Sequence, residues 1–452
     1  MSQIVNPSNL EVIAEPTVTP VERIDEVVER ATRAQRQWAG LPQRRRIEAL
    51  RRLAELIRAD AETLAQVETA NVGKPIGDSR GEVAMVADTF DYYAGAIDKS
   101  FGDTIPVDGG LDFTVREPIG VVTVIAPWNF PLVIAAWNIA PALACGNAVI
   151  VKPAELTPLS VLELERIFAQ VDLPDGLFQV VHGPGSTVGA ALTEHPGVGK
   201  ISFTGSTQTG QTIMRASAGT MKRLTLELGG KSAAVVFADA DLERAASAST
   251  GAVFGNSGQD CCARSRVLVQ RDVYDEFVAL FVAATSTFTV GDPLDSTTAM
   301  GPLVSAPHLD KVRSFLDPAL DIVAPVPGPS GPGHWMAPHL VLDPPREHRI
   351  VREEIFGPVV AVLPFDDEQD AIALANDTIF GLSGSIWTRD LGRAIRVARG
   401  LESGSISVNS STSVRLQTPF GGFKQSGFGR ELGMAAMDGY TELKNVFIST
   451  AE

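Results

Sequence analysis

The sequence predicts an α/β fold, a doubly wound parallel sheet followed by a second α/β domain. Three observations carry that expectation. From residue 119 onward, short apolar runs ending in Gly, Pro or Asn alternate with helical stretches. Four such strand–helix units stand in tandem, which implies parallel strands joined by right-handed crossovers. The chain has 452 residues, and at about 150 residues per domain that length allows two to three domains.

The elements follow in order. Residues 21–70 are helical, with apolar residues every three to four positions, as in Ile47, Leu50, Leu53, Leu56 and Ile57. The run Arg44-Arg45-Arg46 reads as the solvated face of one of these helices rather than a nucleic-acid patch. FGDTIPVDGGLDFTVREP (101–118) reads as strand. IGVVTVIAPWNFP then leads into a helix to about Ala144, and NAVIVKPAE into LSVLELERIFAQ. LFQVVHGPGS leads into TVGAALTEH, KISFTGS into TQTGQTIMRASA, and KRLTLELGG follows. A second α/β set begins near residue 230 with AAVVFADA, a helix, SRVLVQ and a helix around YDEFVALFVAAT. The Pro- and Gly-rich stretch 324–335 reads as a surface loop, and YTELKNVFIST (440–450) as a last strand.

Composition excludes several functions. Apolar residues make up 44% and charged residues 20% of the chain, far from disordered composition. Lys and Arg total 38 against 54 Asp and Glu, a net charge of −16, which repels phosphate backbones and anionic membranes. Three cysteines cannot build a disulfide framework and suit a reducing compartment. The N-terminus lacks a basic stretch followed by an apolar one, and no run of about 18 apolar residues appears. The expectation is a cytoplasmic protein with no nucleic-acid or membrane partner.

Two nucleotide motifs fail. Gly205 and Gly210 have phosphate-loop spacing, but Gln211 stands where Lys is needed, and Gly230-Lys231-Ser232 lacks its upstream glycine because position 225 is Thr. Gly183 and Gly185 continue to Gly189, one residue too late for Gly-x-Gly-x-x-Gly. His334, His339 and His348 fall in loops without metal-ligand partners, so no metal site is expected.

The chemistry concentrates at GAVFGNSGQDCCARSR (251–266), where a helix breaks at glycines and presents Cys261 and Cys262. On local sequence alone, inert buried thiols are an equal reading. Cys145, in PALACGN, reads as a small buried apolar residue. Glu227 ends an apolar strand beside Leu-Gly-Gly; partial desolvation there would raise its pKa toward a general base's range, while a solvated strand-end Glu is the alternative.

Seven motifs together resemble the aldehyde dehydrogenase superfamily. They are PWNFP (127–131), KPAE (152–155), FTGS (203–206), ELGGKS (227–232), GQDC (258–261), EEIFGPV (353–359) and PFGGFKQSG (419–427), in family order over nearly the whole chain. The chain looks shorter at its N-terminus than typical members. The resemblance implies a Rossmann-like dinucleotide-binding domain over 1–99 and 119–229, a catalytic domain over 230–425, and an oligomerisation arm from 100–118 and 435–452. It implies oxidation of an aldehyde to a carboxylic acid with NAD(P)+. Cys261 is then the nucleophile and Cys262 its less reactive neighbour. Asn129 and the Cys261 N–H bind the oxyanion, and Glu227 activates the water that releases the acid.

The resemblance also assigns the cofactor site to Trp128, Lys152, Glu155, Gly185, Gly205, Ser206, Glu354 and Phe356. Glu155 at a strand end would accept from ribose hydroxyls and repel a 2′-phosphate, which favours NAD and leaves NADP open. Ser206 opens a helix suited to a pyrophosphate. Phe130, Trp137, Val414, Arg415 and Phe420 map to the aldehyde tunnel. Arg264 and Arg415 have two readings, attraction of acidic aldehydes or exposure to solvent or an interface. Members acting on succinate semialdehyde often carry Arg where this chain has Trp137, so a mid-sized aliphatic or aromatic aldehyde is expected. Retention of Glu227 argues against a CoA-acylating relative, and retention of both Cys261 and Glu227 against a non-enzymatic one. Thioester hydrolysis argues against a reductase. The arm implies a homodimer or homotetramer.

Overall fold

Strand-forming runs of Val, Ile and Ala build two separate parallel sheets in the computed structural model, which describes residues 3–450. The first sheet runs Gly427–Phe428, Arg223–Glu227, Lys200–Thr204, Val121–Ile125, Ala148–Lys152, Phe178–Val180 in space. All its pairings are parallel except that of Gly427–Phe428, which lies antiparallel along Arg223–Glu227. Its inner strands Ala148–Lys152 and Lys200–Thr204 are buried along their whole length, as sheets covered on both faces require. The strand order reverses between Val121–Ile125 and Lys200–Thr204. At such a reversal the two crossover helices leave to opposite faces and open a crevice at the C-terminal strand ends.

Helices cover this sheet. Ile24–Ala39 buries Ile24, Val27, Val28, Ala31, Ala34 and Trp38, the helical spacing of one inward face. Gln43–Ala59 buries Leu50, Leu53 and Ile57, while Arg44 pairs with Glu48 on its exposed side at 2.8 Å. Pro131–Ala144 starts on a proline at its first turn and is buried all round. Ala436, Met437 and Tyr440 pack into this same core, so the chain leaves it at Thr441.

The second sheet runs Asp321–Val323, His339–Leu342, Val359–Phe365, Arg266–Gln270, Ala233–Val236, Ser383–Trp387, Ser405–Val408, parallel except at its first strand. A third sheet pairs Thr441–Ser449 antiparallel with Gly110–Pro118 over nine residues, with Thr104–Ile105 on the far side. Stretch 324–335 is irregular, as its prolines and glycines dictate. His339 departs from its expected place in a loop: it opens a buried strand, and its Nδ1 lies 2.7 Å from the Ala337 carbonyl. Among the described residues no helix is long and apolar enough to cross a membrane.

Candidate active site

The crevice at the strand reversal is a cavity of about 580 Å³. Ile125, Trp128, Lys152, Glu155, Gly185, Gly205, Ser206, Glu354 and Phe356 all line it, so every residue expected to hold the cofactor comes together there. Ser206 caps the helix Thr207–Ser217, whose free N–H groups open toward the cavity. Glu155 accepts from the Gly185 N–H at 2.9 Å, which aligns its carboxylate at the end of the second strand. Lys152 is buried, and burial lowers its pKa while Glu155 opposes the shift. Glu354 accepts from the Gly230 N–H at 2.9 Å; burial raises its pKa. Trp128 meets Phe356 and His308 edge-on, each with ring centroids 5.1 Å apart. A flat wall, an anion-seeking helix end and carboxylates spaced along one trough fit a dinucleotide.

The loop that carries Cys261 closes on this crevice after the helix Leu242–Phe254. Helix Leu242–Phe254 ends, and Asn256, Ser257 and Gly258 turn the chain with positive φ of 48°, 58° and 69°. Side chains hold that turn. Asn256 donates to the Asn129 and Gln259 carbonyls, and Ser257 donates to the Gly301 carbonyl at 2.7 Å. Gln259 spans outward, accepting from the Val304 N–H at 2.9 Å. Asn129 donates to the Gln259 carbonyl at 3.0 Å, which leaves its second N–H for another acceptor. The Cys261 N–H has no protein acceptor among the described residues. Gly230 lets the loop in: a Cβ there would stand 2.3 Å from the Cys261 carbonyl oxygen.

Glu227 is buried, and neither of its carboxylate oxygens has a hydrogen-bond partner among the described residues. Burial, with Glu431 and Cys262 adding and Arg430 opposing, pushes its pKa well above the usual carboxylate range. The Cys261 thiol is also pushed up, by contact with the Cys262 thiol, by burial and by the charges of Asp260 and Glu227. A second cavity of about 300 Å³ meets the crevice at this point. Thr204, Glu227 and Cys261 line both. The second cavity has aromatic walls from Phe130, Trp137 and Phe420, and Trp137 and Phe420 pack with centroids 5.8 Å apart. Asp260, Cys261 and Cys262 bring their ligand atoms within 4.8 Å of one another, beside the tunnel.

The profile described as the aldehyde dehydrogenase family matches residues 1–446. The chain belongs to the aldehyde dehydrogenase family. It is 40% identical to "Betaine aldehyde dehydrogenase" of Bacillus subtilis (strain 168), over 99% of this chain and 94% of that one. It superposes on the structure of PnpE in complex with nicotinamide adenine dinucleotide with a TM-score of 0.97 at 41% identity, covering 100% of this chain and 94% of that one. It superposes on the NAD+ complex of betaine aldehyde dehydrogenase from Staphylococcus aureus with a TM-score of 0.96 at 36% identity, covering 100% of this chain and 92% of that one. As an aldehyde dehydrogenase it oxidises aldehydes with a nicotinamide dinucleotide.

Two expectations about this aldehyde dehydrogenase change in the structure. Arg415 is exposed and is not part of the tunnel lining, whereas Phe130, Trp137, Val414 and Phe420 are. Arg264 neither faces solvent nor reaches the tunnel; it is 1% exposed and bonds to backbone and hydroxyl oxygens. Glu82 and Glu431 line the tunnel but carry no motif signal, because they reach it from segments distant in sequence, and Asp260 joins them from the loop that carries Cys261. Only the charge on Asp260, inside the GQDC motif, was open to notice in the sequence.

Proposed function

We propose that this enzyme oxidises an aldehyde carrying a cationic tail to the carboxylic acid, with NAD+ as the preferred cofactor. The observation that carries the catalytic part is the position of Cys261 and Glu227 on the shared wall of the two cavities. The Cys261 sulfur adds to the carbonyl, and the resulting oxyanion accepts from the Asn129 amide and the Cys261 N–H. Trp128, Lys152, Glu155, Gly185, Gly205, Ser206, Glu354 and Phe356 line the crevice that would hold NAD+, which would supply the hydride acceptor. Glu227 then removes a proton from the water that hydrolyses the Cys261 thioester. Its unpartnered oxygens leave room for that water.

The tunnel argues for the tail. Among the described residues four carboxyl groups line it, from Glu82, Asp260, Glu227 and Glu431, and no Lys, Arg or His does. A positive group there gains from the carboxyl oxygens and from aromatic faces, and its charge would favour the ionised forms of carboxyls that burial otherwise holds protonated. Relatives are named for betaine aldehyde, which bears a quaternary ammonium. Glu82 is held by Lys74 at 2.6 Å; burial raises its pKa and Lys74 opposes the shift. The test compares chain-length-matched aldehydes ending in ammonium, methyl or carboxylate, by reduced-nicotinamide absorbance. Glu82→Gln should raise KM for the ammonium series at least about tenfold and leave the methyl series near its parent value. Equal efficiency toward all three tails in the parent enzyme would overturn the cationic assignment. The same reading includes a cytoplasmic homodimer or homotetramer, supported by three free thiols and by the exposed strand Thr441–Ser449.

A further inference from the structure

Arg264 sits where a long side chain has no ordinary reason to be charged. It lies three residues beyond Cys261, is fully buried, and has no carboxylate within 4.0 Å among the described residues. Removing a guanidinium from water without an anionic partner is costly, so its acceptors must be well placed. They come from three segments. Its NH1 donates to the Cys262 carbonyl in the nucleophile loop. Its Nε donates to Ser385 Oγ at 3.4 Å and NH2 to the Gly384 carbonyl at 3.3 Å, both in the strand Ser383–Trp387. NH2 also donates to Ser413 Oγ at 2.7 Å and to the Ser411 carbonyl at 3.4 Å. Ser411 and Ser413 are tunnel lining, and Ser413 is further braced by Ser383 Oγ at 2.8 Å. One planar fork therefore ties the loop that carries the nucleophile to the wall that meets the aldehyde.

We propose that Arg264 is a positioning residue that clamps the loop carrying Cys261 to the tunnel wall and places a fixed positive charge at the Cys262 carbonyl, one residue from Cys261. The proposal rests on Cys261 being the nucleophile. The charge matters because the other groups facing Cys261 oppose ionisation. Cys262 and Asp260 do so from its own loop, and Glu227 does so from the end of the first sheet. Glu431 and Arg430 act on Glu227, and Lys74 acts on Asp260. Glu82 lines the same tunnel. Burial lowers the Arg264 pKa, and Cys262, Asp260 and Cys261 oppose that shift in decreasing order. Lys in its place would keep the charge and lose the fork.

Three variants separate these two functions, Arg264→Gln, Arg264→Lys and Ser413→Ala. For each, the rate of iodoacetamide alkylation is followed against pH, the labelled cysteine is located by peptide mass, and kcat, aldehyde KM and NAD+ binding are measured. Arg264→Gln should move the alkylation inflection up by about one pH unit or more, which slows labelling about tenfold below it. Arg264→Lys should leave the inflection in place and raise aldehyde KM at least about fivefold, with NAD+ binding unchanged. Ser413→Ala should raise KM by a smaller factor. An unmoved inflection in an Arg264→Gln protein that binds NAD+ overturns the proposal. Should that variant fail to bind NAD+, parent-like KM in both Arg264→Lys and Ser413→Ala overturns it. Labelling of Cys262 instead of Cys261 in the parent enzyme would refute the nucleophile assignment, a separate outcome.

Discussion

Cys261 and Cys262 are adjacent in sequence yet face different surroundings. Cys261 lines both cavities, while Cys262 lines only the tunnel and is 7% exposed. Cys261→Ala should abolish hydride transfer and covalent capture of substrate, and Cys262→Ala should retain most activity. Glu227→Gln should lower steady turnover by about 10²–10⁴-fold, the usual worth of a positioned base. A single-turnover burst of reduced nicotinamide should survive in it, read by rapid-mixing absorbance, with the acyl-enzyme trapped for mass spectrometry. Because the carboxyl of Glu227 is raised well above its usual range, deacylation should quicken with rising pH and level off once that group is ionised. Glu155 bears on the cofactor. The parent should show higher kcat/KM with NAD+ than with NADP+, and Glu155→Gln should narrow the gap by removing a charge that repels a 2′-phosphate. Equal efficiencies in the parent would count against that role.

At the scale of elements, the turn Gly255–Gly258 and the loop after Glu354 fit against each other. A Cβ on Gly258 would stand 2.2 Å from the Gly357 carbonyl oxygen, and its φ of 69° already disfavours a side chain. Gly258→Ala should therefore destabilise the fold by about 1–3 kcal/mol and lower kcat through a displaced Cys261, measured by thermal unfolding and steady-state rates. The segment carrying Glu431 gives a pH signature. Burial raises its carboxyl from 4.5 to about 7, with Asn138 donating at 2.7 Å and Lys200 opposing the shift. A carboxyl raised in the folded state stabilises fully below its unfolded value and loses that contribution as pH rises through the folded value. Against Glu431→Gln, the parent should thus lose about 3 kcal/mol between pH 4.5 and 7 and run parallel above it, in paired unfolding curves. Parallel curves across the whole range would place the ionisation elsewhere.

For the whole molecule, the three-stranded sheet is the feature with no covering. Thr441–Ser449 forms its edge, and Leu443, Phe447 and Ile448 are 59%, 50% and 50% exposed. An open edge with apolar side chains is a pairing surface. Light scattering at micromolar concentration should give a dimer or tetramer, and Leu443→Glu combined with Phe447→Glu should give a smaller species that keeps the fold. A monomeric parent would rule out assembly through this sheet.

The alternation of apolar runs and helical stretches was enough to predict the parallel sheet, because buried strands need continuous Val and Ile and the crossovers need helices. The family resemblance carried by seven short motifs pointed to Cys261, Glu227, Asn129 and the cofactor residues, whereas local chemistry alone left Cys261 and Glu227 each with an equal inert reading. The charge of the tunnel was not readable in that way. Glu82, Asp260 and Glu431 come from a helix of the first layer, the nucleophile loop and the segment after Gly427, and only folding places them on one wall. Arg264 shows the same limit from the other side. Its sequence neighbours suggest an exposed cation at a pocket mouth, and its burial follows from acceptors up to 149 positions away, which no local pattern encodes.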